Sequence, residues 1–266
     1  MKYLRKFNNH SDYEQDRQIL DLPNVSYCVQ ENEVHYNPYI HDYSQDYLTF
    51  EALGQCSFGF EPKQDRPTEY DKVKYSLDNG LTWRTLDFDG SIYVSAGSKI
   101  LWKGNISPNY YYNKGVGTFS STGQFNVEGN PLSILKGDNF KDSTAEIGAF
   151  EVLFKNCTKL ISAENLSIKT VTNWSCWHMF EGCTSLTTAP ELPATILRYE
   201  CYHGMFSGCS SLNYIKCLAT NISDTNCTKD WVNGVASSGT FVKAESMTSW
   251  TSGVNGIPSG WTVEDA

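Results

Sequence analysis

Three short strings set the architecture of this chain: FKNCTKL from Phe154, FEGCTSL from Phe180 and FSGCSSL from Phe206, each starting 26 residues after the last. A period of this size marks stacked copies of one supersecondary unit, no copy of which can bury its apolar side alone. The triads Phe154, Cys157, Leu160, then Phe180, Cys183, Leu186, then Phe206, Cys209, Leu212 are therefore the expected core of a short solenoid. The phase extends to Ala163, Ala189 and Ile215, and to Leu166, Leu192 and Leu218. Carried forward, it puts Trp231, Val232, Val235 and Phe241 at core positions of a fourth, degenerate unit. Carried back, it reaches Ile134 and Phe140 as a partial first unit. Four or five units at the ~4.8 Å spacing of paired strands give a block only ~20 Å long. Such a block presents a surface, which moves expectation from catalysis toward binding.

The rest of the chain lacks this period. Residues 46–129 alternate apolar and polar positions over 47–53, 73–76, 81–86, 91–95, 99–102 and 123–127, with turn residues between. Short strands at such spacing predict a β-sandwich-like domain, and Asp78-Asn79-Gly80 predicts a hairpin turn inside it. Residues 1–45 read as an extended arm, with a capping-box pattern at Ser11 to Glu14 that predicts a short helix over 11–20. The expected class is mainly β and multidomain: arm 1–45, β-domain 46–129 and a short capped solenoid 130–266.

The chain carries 30 acidic against 21 basic residues, and residues 1–70 alone hold 12 against 6. An acidic chain with scattered cations is a poor nucleic-acid binder. No apolar run approaches the ~18 residues of a spanning helix, so membrane insertion is not expected. The first residues are basic but lack the apolar stretch of a secretory leader, which predicts folding in the cytoplasm. Seven of the nine cysteines fall in the repeat region, where in-phase thiols read as small buried apolar side chains rather than bridges.

Three patterns bear on chemistry. Ser76, Asp78, Gly80, Thr82 and Trp83 match the S-x-D-x-G-x-T-W box of sialidases and other propellers. That box is a structural turn even there, and this chain has one copy, so a tied hairpin is expected. Cys176, His178, Cys201 and His203 offer two thiols and two imidazoles, a zinc set by type. Each pair also precedes a Met-Phe in its own repeat, and the pairs differ by one residue in their distance from that Phe, so convergence is not expected. No G-x-S-x-G or phosphate loop appears, and the acid pairs Asp87 with Asp89 and Glu31 with Glu33 lie in polar, turn-like text as solvated acids, so no enzyme activity and no cofactor is expected. Tyr110, Tyr111 and Tyr112 read as an exposed loop that could stack on a glycan or pack on a partner.

The F-x-G-C-[TS]-S-L units, with residues 186–195 after the second, closely resemble BspA-type leucine-rich repeats, found on surface proteins of gut Bacteroidales and in their phages. The closing run from Gly239 through Val263 resembles that family's C-terminal cap. Residues 22–28 and 34–38 resemble the N-terminal segment of structural proteins from crAss-like phages. The resemblance implies a non-enzymatic virion surface protein, a head fibre, capsid decoration or tail-fibre-like subunit. Assembled in the host cytoplasm, it would be anchored to a capsid or fibre protein through residues 1–45. The implied state is a homo-oligomer, a dimer or trimer, displaying the repeat head toward a host surface glycan or protein. The alternative is a bacterial cell-surface adhesin or glycan-binding protein.

Overall fold

The computed structural model describes residues 41–62, 73–87, 90–107 and 115–266, together with the backbone of 6–7, 27–30 and 33–36. Two compact units divide the chain, Met1–Tyr43 and Ser44–Ala266. In the first, strands β1 (Lys6–Phe7), β2 (Tyr27–Gln30) and β3 (Glu33–Tyr36) form an antiparallel sheet in the order β1-β3-β2. The segment expected to run extended thus pairs with itself, because an extended backbone has amides and carbonyls to satisfy. The helix expected over 11–20 lies outside the described residues.

The second unit opens with an antiparallel region. Its strands are β4 (Leu48–Ala52), β5 (Cys56–Pro62), β6 (Lys74–Ser76), β7 (Arg84–Thr85), β8 (Ile92–Val94), β9 (Lys99–Lys103), β10 (Gly117–Ser121) and β11 (Phe125–Gly129). One sheet runs β10-β5-β8, and β4, β9, β6, β7 and β11 belong to another. The two face each other through aromatic rings: Phe50 of β4 lies 5.3 Å from Phe58 of β5 and 4.7 Å from Phe119 of β10. Strands β5 and β10 were not anticipated. Gly59 and Pro62 weaken β5 as text, although Cys56, Phe58 and Phe60 all point inward and are buried.

Strand β11 joins this region to the repeats. One edge pairs antiparallel with β4, and the other pairs parallel with β12 (Leu160–Leu166). The ladder continues through Thr188, which bridges Ser162 on one side and Tyr214 on the other. It then runs into parallel strands β13 (Tyr214–Cys217), β14 (Thr240–Lys243) and β15 (Thr262–Asp265). The boundary drawn at 129/130 therefore falls inside one compact unit and one continuous ladder. The reason is edge pairing: β11 closes the antiparallel region and, with its other edge, templates the repeats.

Two phase assignments need correction. The rung before Leu160 is Phe125, 35 residues earlier, and not Ile134. Ile134 and Phe140 are buried, but they sit in helix α1 (Ser133–Lys136) and a following 3-10 turn (Gly137–Asp142). Further on, Leu192 pairs with Cys217, a step of 25, so Cys217 takes the core place and Leu218 is only half-buried. The forward extension is as expected, with Trp231, Val232 and Phe241 buried and Val235 packed beside them.

Across from the ladder, each unit is a run of turns with its own order. Alternate amides donate to the next unit 25 residues on, as Val152 to Trp177 O and Phe180 to Met205 O; those between donate three residues back. Every fourth residue has positive φ, in 26-residue phase: Gly148, Trp174, Glu200 and Asn226; Val152, His178, Gly204 and Asp230; Asn156, Gly182, Gly208 and Gly234. For a β-branched residue such as Val152, at φ 55°, this region is strained, and stacking on both sides holds it there. The last unit is closed by Trp250, stacked 5.6 Å over Trp231, and by the Trp261 indole, which donates to Ala236 O.

Candidate functional site

The repeat triads build a column. Phe154 and Phe180 stack at 5.4 Å and 11°, Phe180 and Phe206 at 5.6 Å and 12°. Each thiol donates to the preceding phenylalanine's carbonyl: Cys183 Sγ to Phe154 O and Cys209 Sγ to Phe180 O, both at 3.0 Å. Leu160, Leu186 and Leu212 complete the triads, fully buried.

The column does not begin with a repeat. Cys157 Sγ donates to Phe119 O at 2.8 Å, and Phe119 stacks on Phe154 at 5.8 Å. The Phe119 amide donates to Leu153 O, as the Phe154 amide does to Met179 O. A residue of β10 thus occupies the place of a preceding repeat's phenylalanine. Burial pushes the Cys157, Cys176 and Cys217 thiols up to about 12 and Cys183 well above its ordinary value. At neutral pH these groups are protonated donors, not nucleophiles. All eight described cysteines are buried and free.

Cys176 and Cys201 point into the core while His178 and His203 line the turn surface, their rings 5.2 Å apart. Residues 26 apart align, which matches Cys176 with Tyr202 and leaves the two thiols out of register. His178 Nδ1 lies 2.7 Å from Glu181 Oε2, off the line of a hydrogen bond. Burial, ahead of the opposing pull of Glu181, lowers the His178 pKa. Among the described residues no three His, Cys, Asp or Glu side chains gather as a metal site.

The box at Ser76 forms a tied loop between β6 and β7. Ser76 Oγ donates to Asp78 Oδ1 at 2.7 Å, the Thr82 amide donates to the same oxygen at 2.9 Å, and the Thr82 hydroxyl donates to Asp78 Oδ2. The Gly80 amide donates to Ser76 Oγ, and Asn79 and Gly80 both have positive φ. The Thr82 bonds, then Ser76, hold the exposed Asp78 carboxyl down at about 2. Trp83 is braced by Lys103, whose Nζ lies 4.2 Å over the ring, and by Tyr47 at 5.0 Å. Lys103 and the Tyr47 hydroxyl both reach Asp138, and burial followed by that bond pushes the Tyr47 phenol to about 12. The loop is a fastening. Tyr110, Tyr111 and Tyr112 lie outside the described residues.

One concavity carries no sequence motif. A cleft of about 430 Å³ opens beside β8 and β9, lined by Gln55, Leu77, Tyr93, Val94, Ser95, Ser98 and Lys99. Its one signal was Tyr93, a large ring at the outward position of its strand, 80% exposed beside buried Ile92. No family model matches the chain, and no curated protein or solved structure matches it either.

Proposed function

We propose that the chain is a non-enzymatic surface protein of a bacteriophage particle, a head fibre, decoration or tail-fibre-like subunit. Residues 1–45 mount it on a capsid or fibre protein, and the rest is displayed. In this reading residues 46–129 form a β-sandwich and 130–266 a short capped leucine-rich-repeat solenoid, exposed for attachment as part of a homo-oligomer, a dimer or trimer.

The observation that carries the reading is the division at Tyr43 and Ser44, which sets a small sheet apart from a single block with a continuous ladder and core. Such a division suits a mount and a rigid display head. The thiols add weight. Cys157, Cys183 and Cys209 act as S–H donors, which requires the reduced form found in a cytoplasm where virions assemble.

Mass spectrometry and cryo-EM of purified particles test this. The expected result is the protein at stoichiometric occupancy on the particle surface, lost when residues 1–45 are deleted. Full occupancy by the truncated chain overturns the mounting role. Absence from particles, with adhesion of the isolated protein to cells, selects the bacterial adhesin instead.

A further inference from the structure

The cleft beside Tyr93 lies at one end of an uninterrupted polar row. Lys99, which lines the cleft, pairs with Glu51 across β9 and β4, Glu51 pairs with Asn126, and Asn126 pairs with Ser162. From there the register passes through Thr188, Tyr214, Thr240 and Thr262. None of these side chains is fully buried, whereas the strand neighbours Phe50, Ile100, Phe125, Ala163, Ile215 and Phe241 are, so the row faces away from the core. Seven strand intervals at ~4.8 Å make the row ~34 Å long.

We propose that the cleft is the end subsite of a path for an extended, uncharged, β-linked polysaccharide whose further rings follow this row. The proposal rests on the attachment reading and names its ligand class. Four features select that ligand. The cleft volume, about 430 Å³, suits a small ligand, and one exposed aromatic face stands beside the Gln55 amide, the Ser95 and Ser98 hydroxyls, apolar Leu77 and Val94, and the Lys99 ammonium. Gln55, Ser95 and Ser98 can both donate and accept, as a polyhydroxyl ring requires. The row carries no ionic charge from Ser162 to Thr262, and Lys99 is paired with Glu128 at 2.5 Å, so nothing in it recruits an anion. The face offers no strand edge to a peptide, since its backbone groups are consumed in the ladder.

Binding is measured by calorimetry on the full chain, with neutral cello-, chito- and xylo-oligosaccharides of one to seven rings, beside hyaluronate as an anionic control. Affinity is expected to rise about tenfold or more between two rings and six. Tyr93→Ala should weaken binding about tenfold at every length, whereas Tyr214→Ala should weaken only the longer chains. No binding across the neutral panel, no dependence on length, a preference for hyaluronate, or indifference to Tyr93→Ala would each overturn the proposal. So would a shift from oligomer to monomer on Tyr93→Ala without any glycan binding, which would make the cleft a contact between copies. None of these results bears on whether the protein is carried by particles, so this path can fail while the virion reading stands.

Discussion

The antiparallel region and the repeat block share a ladder but fill their interiors in opposite ways. In the repeats like stacks on like, with Phe154, Phe180 and Phe206 nearly parallel, at 11° and 12°. In the antiparallel region Phe50 is a hub, meeting Phe58, Trp102, Phe119, Phe125 and Phe154 at angles of 48° to 77°. A stacked position is specified by its own copies above and below, so one degenerate unit still fits, as Trp231 does after Met205. A hub is specified by many unlike neighbours, and no copy compensates for a poor fit. The two modes meet at Phe119, which belongs to the cluster by its contacts with Phe50, Phe60 and Trp102 and to the column by its stacking on Phe154 and its backbone.

That junction is where the comparison breaks most easily. Phe119→Ala removes a fully buried ring that contacts Phe50 at 4.7 Å, Phe60 at 4.7 Å, Trp102 at 5.0 Å and Phe154 at 5.8 Å. The expected cost is about 3–5 kcal/mol, read as a fall in the urea midpoint. Both regions should still unfold in one transition, followed by tryptophan fluorescence and far-UV circular dichroism together. Two separated transitions in the unsubstituted protein would show that the shared ladder does not couple them.

A smaller effect separates the regions by backbone. Gly204 has φ +60°, and an added Cβ would sit 2.4 Å from His178 Cε1 in the neighbouring unit. Gly97, in the turn between β8 and β9, has φ +78° with nothing within 4 Å of such a Cβ. Gly97→Ala should therefore cost only the left-handed penalty, about 1–2 kcal/mol. Gly204→Ala should cost more, because the His178 ring must also move aside. Equal shifts in thermal midpoint for the two would mean that the turns are not held by their neighbours.

How much of this was legible follows from the same contrast. The triads announce themselves because each core side chain recurs at a fixed interval, and the rings of Phe154, Phe180 and Phe206 stack one on the next. The left-handed positions were partly written as Gly182, Gly208 and Gly234, but Val152, Trp174 and His178 hide the phase, since only stacking forces them there. Phe119 could not be found by period, because its place in the column is set by β10 pairing with β5, which no local pattern encodes. The Tyr93 cleft was hard to read for a related reason: its lining is gathered from strands β8 and β9 and from the turns after β4, β6 and β8. Pattern reading finds what repeats along the chain and misses what only the fold brings together.

The smallest predicted effect is a titration confined to the antiparallel region. Asp78 is exposed, and its hydrogen bonds from Thr82 and Ser76 hold its folded pKa at about 2, against the ordinary aspartate value of ~3.9. A depressed folded pKa means that the carboxylate contributes to the loop above ~3.9 and that the contribution is lost as pH falls through about 2. The repeat thiols, whose pKa values burial raises, keep their protons throughout this window and add nothing to the slope. The change should appear locally, as movement of the Thr82 amide and Trp83 indole resonances between pH 4 and pH 2, while the indole of Trp231, donating to Gly256 O, stays still. Asp78→Asn should abolish the movement without altering the repeat signals. If both indoles shift together in the unsubstituted protein, acid loosens the shared core as a whole, and the fastening at Asp78 is not a local device of the antiparallel region.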